Sequence, residues 1–259
     1  MANGNKVNAS RTQYVVKAND LIRSTRYSLT TQQQKIILFA ISKIKPNDDP
    51  HTTYELSIEE LCATCGIELD TGGFYYRAIK QDLIKLTQRL WVQLPDQSEA
   101  TISWIGDAQI IPLSGMVYIR FHERMMPYLF DLREHYTQYH LQDILLFKSK
   151  YSIRLYELLR SYIPQRVLDA GKSRDVTIPL DQLRRIFDMG DKYKRWAEFD
   201  RNVIRKAVQE INAFNEEMFV EYEGLRGKGR EITQVWFGMK SPTSAQRMAA
   251  RANIRSKLK

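Results

Sequence analysis

The sequence predicts an α+β protein built from two tandem, related modules, and three observations carry that expectation. Its 259 residues suit one large domain or two small ones, at about 150 residues per domain. Apolar residues make up 43% and charged residues 27%, which is enough apolar material for packed cores and too much for a disordered polymer. A short strand, a helix, a turn, a second helix and a β-hairpin occur in that order twice, once in residues 1–140 and again in residues 141–259.

In the first module, Ile37, Ala40, Ile41 and Ile44 follow the spacing of an amphipathic helix, which the turn-forming Pro46-Asn47-Asp48-Asp49-Pro50 ends. Residues 52–56 read as a strand. Ser57 with Glu60 three positions later predicts a capping box for a helix striped by Ile58, Leu61, Cys62 and Cys65, and Gly66 closes it. After the Gly72-Gly73 turn, Ile79, Leu83, Leu86 and Leu90 stripe a further helix, whose other face shows Arg77, Gln81, Lys85 and Gln88. Residues 91–94, 101–105 and 116–121 are β-rich runs that suggest a hairpin or small sheet.

The second module repeats the order. Leu155, Leu158, Leu159 and Tyr162 stripe a helix, residues 175–178 form a strand, and residues 179–187 place Leu180, Leu183, Ile186 and Phe187 on one face. A loop over residues 188–196 carries Lys192, Lys194 and Arg195. The next helix buries Ile204, Ala207, Val208 and Ile211 and shows Glu198, Arg201, Asn202, Arg205 and Gln209. Residues 218–222 and 232–237 flank a basic, flexible tip over residues 223–230. The local match of Tyr54-Glu55-Leu56-Ser57-Ile58-Glu59-Glu60-Leu61 to Val176-Thr177-Ile178-Pro179-Leu180-Asp181-Gln182-Leu183 strengthens the repeat. This is the element order of a winged helix, so the expectation is two winged-helix domains related by an internal pseudo-repeat.

The net charge of +9 is unevenly placed: residues 1–140 hold 15 basic and 15 acidic side chains, whereas residues 141–259 hold 24 and 15. Residues 240–259 contain Lys240, Arg247, Arg251, Arg255, Lys257 and Lys259 with no acid. Such clustering suits a polyanion, because each cation that neutralises a phosphate releases condensed counterions. A solvated, disordered tail is the plainer alternative for that segment.

A helix seated in a major groove turns its apolar side to the protein and offers one polar stripe to base edges and phosphates. Arg201 and Asn202, near the start of the second module's helix, are the expected base readers, since Arg can grip guanine and Asn adenine through two bonds. Lys192, Lys194, Arg195, Lys206, Arg226, Lys228 and Arg230 are the expected phosphate contacts, and Arg205 shares the exposed face. Asp200 fits poorly beside phosphate; capping the helix, accepting from cytosine and orienting Arg201 all stay open. In the neutral first module, Arg77, Lys80, Gln81 and Lys85 are expected to bind more weakly, through backbone contacts.

The same segments resemble the Rep_3 family of plasmid replication initiators, the iteron-binding proteins of theta-replicating plasmids. The similarity is strongest at Tyr151-Ser152-Ile153-Arg154-Leu155-Tyr156-Glu157-Leu158-Leu159, at Glu210-Ile211-Asn212, and at Gly229-Arg230 leading into Val235-Trp236-Phe237. Val16-Lys17-Ala18-Asn19-Asp20-Leu21-Ile22, Met126-Pro127-Tyr128-Leu129 and Tyr136-Thr137-Gln138-Tyr139 agree as well. The resemblance implies monomers that bind origin repeats to start replication. It also implies homodimers, formed through the N-terminal domain, that repress the protein's own gene, and contacts with the host initiator and replicative helicase. Residues 101–121 are the guess for the β part of the dimer surface.

Other classes fit less well. A nickase of the rolling-circle or relaxase type needs a metal cluster, usually with His-x-His, and His51, His122, His135 and His140 form no such pair. A Walker A loop around Gly171-Lys172-Ser173 would need Gly where Arg166 stands. Cys62 and Cys65 lack two further zinc ligands and read as small core residues. The expectation is therefore a non-enzyme without metal or cofactor, the serious alternative being a winged-helix transcriptional repressor with no part in initiation. The longest apolar runs, such as residues 36–41, fall far short of the roughly 20 residues that cross a bilayer. Residues 1–11 are polar without an apolar h-region, so a cytoplasmic protein without membrane contact is expected.

Overall fold

The computed structural model describes residues 13–66, 74–93, 98–111 and 114–257. The chain divides into two compact units, one containing the residues up to Thr25 together with Leu29–Leu145, the other Arg26–Ser28 and the chain from Leu146 onward. The passage between units thus falls five residues beyond the 140–141 boundary expected from sequence, because Gln142–Leu145 is a helical turn with Ile144 and Leu145 buried in the first unit.

In the first unit, β1 (Tyr14–Ala18) leads into α1 (Asn19–Ser24); the two-residue strand β2 (Thr25–Arg26) begins there at Thr25, and α2 (Thr31–Ile41) follows. The Thr30 hydroxyl accepts the Gln33 N–H at 3.2 Å and the Gln33 side-chain oxygen accepts the Thr30 N–H at 3.0 Å, so α2 begins in a reciprocal cap. Residues 33–41 are all buried, so α2 is wrapped on every side where the spacing predicts an amphipathic helix with one apolar face, and it ends at Ile41, before Ile44.

Next come β3 (Tyr54–Ser57), α3 (Ile58–Cys65) and α4 (Phe74–Leu86). The capping box expected at Ser57 is half made: its hydroxyl accepts the Glu60 N–H at 3.3 Å, but the Glu60 carboxylate binds the Lys43 ammonium at 3.1 Å. Gly66 closes α3 with φ 70°, its N–H on the Cys62 carbonyl, as the sequence predicts. The Gly72-Gly73 turn lies outside the described residues. Burial pushes the Cys62 thiol up to about 11 and raises that of Cys65, so both remain protonated core residues.

A hairpin of β4 (Arg89–Gln93) and β5 (Glu99–Ser103) follows, then β6 (Ile105–Ile111) and β7 (Met116–Phe121). The run expected as one strand over residues 101–105 breaks at fully buried Trp104, and each half joins a different sheet. β8 (Tyr136–His140) pairs antiparallel with β1, and the helical turn α5 (Gln142–Leu145) follows it.

In the second unit, α6 (Lys150–Tyr162) is buried from Ser152 through Ser161. Its start is held by Glu210, whose carboxylate accepts the N–H groups of Lys148 and Ser149 at 3.1 Å each. Buried Arg154 donates to the Tyr27 hydroxyl at 2.7 Å and lies 4.0 Å from that ring, which fastens Arg26–Ser28 to this unit. After α7 (Gln165–Asp169) come β9 (Arg174–Pro179) and α8 (Leu180–Ile186), then a helix in three parts: α9 (Trp196–Phe199), a π-type wide turn (Asp200–Ile204) and α10 (Arg205–Phe214). β10 (Phe219–Arg226) and β11 (Ile232–Lys240) form the hairpin.

The two units share one topology, seen in sheet orders β3-β7-β6 and β9-β11-β10. Leu56 opposes Val117 as Ile178 opposes Val235, and all four are buried. The aligned octapeptides therefore occupy equivalent strand–helix corners, and the fold is two winged helices.

Two expectations about the second unit change. The ladder continues through Glu223 and Gly224 to Arg226, leaving only Gly227–Glu231 as the tip, closed by the Gly227 N–H on the Glu231 carbonyl at 3.1 Å. The basic tail forms a helix, α11 (Ser244–Lys257), in which Arg247 donates to the Glu216 carbonyl at 3.1 Å, Arg251 pairs with the Glu216 carboxylate at 2.5 Å and Asn253 reaches the Ala213 carbonyl at 3.2 Å. The tail is held by Glu216, which takes one arginine on its backbone carbonyl and one on its carboxylate, and by Asn253 on a carbonyl of the last turn of α10.

Asn212 joins helix to hairpin: its Nδ2 donates to the Val220 carbonyl and its Oδ1 accepts the Val220 N–H, both at 2.8 Å. Asn212→Ala removes both bonds and is expected to lower stability by about 1–3 kcal/mol, read as a lower urea midpoint at unchanged slope.

Candidate nucleic-acid interface

The helix of residues 196–214 owes its exposure pattern to its sequence. Phe199, Val203, Ile204, Ala207, Val208 and Ile211 are buried, and Arg201, Arg205, Lys206 and Gln209 are exposed. The sequence-expected phosphate contacts surround it: Lys192, Lys194 and Arg195 in the preceding loop and Arg226, Lys228 and Arg230 at the hairpin end are all exposed. Among the described residues Lys192, Arg195, Arg201, Lys206, Arg226, Lys228 and Arg230 pair with no carboxylate, whereas Lys194 is bound to Asp191 at 2.8 Å. An array of uncompensated cations on one helix face, one loop and one wing suits a chain of phosphates.

The loop is shaped by Arg184, which sequence reasoning passed over. Its guanidinium donates to the carbonyls of Gly190 at 3.1 Å, Lys192 at 2.8 Å and Tyr193 at 2.6 Å, and stands 5.7 Å from the Phe199 ring. Asp188, Gly190 and Tyr193 have φ of 49°, 51° and 52°, a fold of loop that these three bonds hold together. Only the density of basic residues in α8 hinted at such a role, and density does not say which side chain turns inward.

Asp200 is settled by geometry. Its side chain is 10% exposed and accepts from both the Arg205 guanidinium and the Tyr222 hydroxyl of β10. It orients Arg205, where the sequence left capping, cytosine and Arg201 open. The Arg205 N–H bonds the Asp200 carbonyl five residues back, which is the wide turn itself. Burial, then the bond to Asp200, raises the Tyr222 phenol, and bonds to Tyr222 and Asp200 raise Arg205, so both keep their protons.

Asn202 is half-buried and donates its amide to the Glu198 carbonyl at 2.9 Å. The amide nitrogen carries two N–H groups, so this bond holds the side chain against the helix and engages one of the two donors. Arg201 remains free on the open face.

Trp196 lies across the hairpin. A Cβ at Gly224 would come within 2.6 Å of the Trp196 ring, so the close approach of helix and wing requires glycine at that position.

In the first unit Arg77, Lys80, Gln81 and Lys85 lie together on the exposed face of α4, over buried Ile79, Leu83 and Leu86. Asp82 accepts from Gln32 at 2.6 Å and Gln33 at 2.8 Å, which sets α4 against α2. Arg77 stands 4.4 Å from the ring of Phe74, which is 67% exposed. This face has fewer cations than its counterpart, in keeping with the sequence.

No group of three or more His, Cys, Asp and Glu that could hold a metal occurs among the described residues, and no described helix is long and apolar enough to cross a membrane.

Two family models match the chain: "Initiator Replication protein, WH1" over residues 14–160 and "Initiator Rep protein, WH2" over residues 179–238. The chain is 24% identical over 215 residues to a replication initiation protein of Escherichia coli, covering 81% of this chain and 66% of that one, just under two thirds of the relative's length. It is 23% identical over 254 residues to the PI protein of Escherichia coli, covering 86% and 81%. The crystal structure of Pi initiator protein in complex with iteron DNA superposes with a TM-score of 0.73 at 21% identity, over 90% of this chain and 99% of that one. That likeness shows the fold of two winged helices.

Proposed function

We propose, from the premise that the chain belongs to the initiator replication protein family, that it binds directly repeated duplex sites at a plasmid origin as a monomer and thereby starts theta replication. The observation that carries the reading is the set of cations without carboxylate partners on the helix, loop and wing of the second winged helix. The similarity to a Pi initiator protein solved in complex with iteron DNA supports it.

In this reading the second unit supplies sequence preference and the first adds backbone contacts through Arg77, Lys80, Gln81 and Lys85. The protein performs no bond chemistry; bound monomers crowded on neighbouring repeats strain an adjacent A+T-rich tract. Homodimers represses the gene from an inverted operator, and the host initiator and replicative helicase are the further partners, met in the cytoplasm.

Footprinting on the DNA flanking the gene tests this. Protection of several direct repeats, each about two helical turns long, is the expected result. Protection of one isolated palindrome would replace initiation by plain repression. Lys228→Ala is expected to weaken repeat and random duplex alike, as a phosphate contact does.

A further inference from the structure

We propose that Asp200 and Tyr222 are positioning residues that hold Arg205 as the guanine-reading side chain of the second unit. This deepens the function proposed above and rests on it. Arg205 is 56% exposed, yet one end of its guanidinium is fixed by a carboxylate that is itself 10% exposed. That carboxylate is fixed in turn by the Tyr222 hydroxyl from the wing strand. An unrestrained arginine loses rotamer entropy on forming a two-bond contact, and a planar fork already held at one edge loses less. The donors that Asp200 does not engage lie on a half-exposed side chain of the helix's open face. Guanine offers its O6 and N7 acceptors in the major groove to such a planar fork.

Arg201, on the same face, has no such anchor. It suits a phosphate, which accepts a cation from many directions. The wide turn supports the same assignment, since it places the Arg205 N–H on the Asp200 carbonyl and so binds the two residues through backbone and side chain together. Because Tyr222 belongs to β10, helix and wing share one hydrogen-bonded chain.

The test compares the full-length protein with Asp200→Asn, Tyr222→Phe, Arg205→Lys and Arg201→Lys on a duplex carrying one direct repeat from the DNA flanking the gene, and on a random duplex of equal length. Arg205→Lys is expected to reduce the preference for the repeat by about 10- to 100-fold with the salt slope unchanged, because charge remains and the fork is lost. Asp200→Asn and Tyr222→Phe are expected to reduce it by about 10-fold with no loss of random-duplex binding, which Asp200→Asn strengthens because it removes a negative charge beside the phosphates. Replacing guanines of the repeat one at a time by 7-deazaguanine, which lacks the N7 acceptor, should weaken the parent protein at one position where Arg205→Lys is already insensitive. Arg201→Lys should keep that sensitivity.

Three results would overturn the proposal: equal losses on both duplexes for Asp200→Asn and Tyr222→Phe, a fall in thermal midpoint with the preference intact, or transfer of the insensitive guanine to Arg201→Lys. A parent protein with no preference for any repeat would instead overturn the function on which the proposal rests.

Discussion

Raising monovalent salt from about 50 mM to about 200 mM is expected to weaken binding to duplex DNA by about 10³-fold or more, the loss for six or more neutralised phosphates. Lys192, Arg195, Arg201, Lys206, Arg226, Lys228 and Arg230 supply that number of cations without an internal carboxylate to compete. Cations already paired inside the protein contribute less, because contact with phosphate would first break an existing pair. Lys194, Lys240 and Arg251 are of that kind, bound to Asp191, Glu221 and Glu216. The assay is a titration at several salt concentrations, plotted as log affinity against log salt. Lys228→Ala should lower the slope by about 0.9, and a parent slope near zero would rule out this surface as a phosphate track.

Phe199→Ala is expected to destabilise the second unit by about 3–5 kcal/mol, a large share of the roughly 5–15 kcal/mol that holds a typical domain together. The Phe199 side chain is fully buried where the helix begins, with ring centroids 6.4 Å from Phe187 and 6.3 Å from Trp196, and Arg184 standing over it at 5.7 Å. Removing the ring leaves a cavity beneath the loop and the first turn together, so the surface that carries the cations loses its support. Urea unfolding followed by tryptophan emission reads the loss, since Trp196 and Trp236 both report on this unit. Phe199→Leu, which refills much of the volume, should recover most of the midpoint. Equal midpoints for the parent protein and Phe199→Ala would show that the ring is not part of the core.

Much of the fold is legible because the alternation of apolar and polar side chains is written along the chain. The stripes Ile79-Leu83-Leu86 and Ala207-Val208-Ile211 lie buried as their spacing predicts, and Gly66 ends its helix in the left-handed region. The candidate interface is legible in outline for the same reason, since an exposed cation on a striped helix has only one side to occupy. Where expectation and structure part, a distant partner wins over a local pattern. Glu60 leaves its capping box for Lys43, and Arg247 and Arg251 turn to Glu216.

The family motifs show the same division. Glu210-Ile211-Asn212 stands out in the sequence, but its purpose emerges only when Glu210 is found capping α6 and Asn212 clasping Val220.

By itself the sequence determined two repeated modules, the faces their helices bury and the excess of cations in the second, because periodicity and composition are properties of neighbouring residues. Only the tertiary structure decided that Arg184 shapes the basic loop, that Asp200 serves Arg205, and that the tail folds back as a helix. Those contacts depend on which strand pairs with which and where each side chain turns once the cores have closed, and no local pattern encodes either.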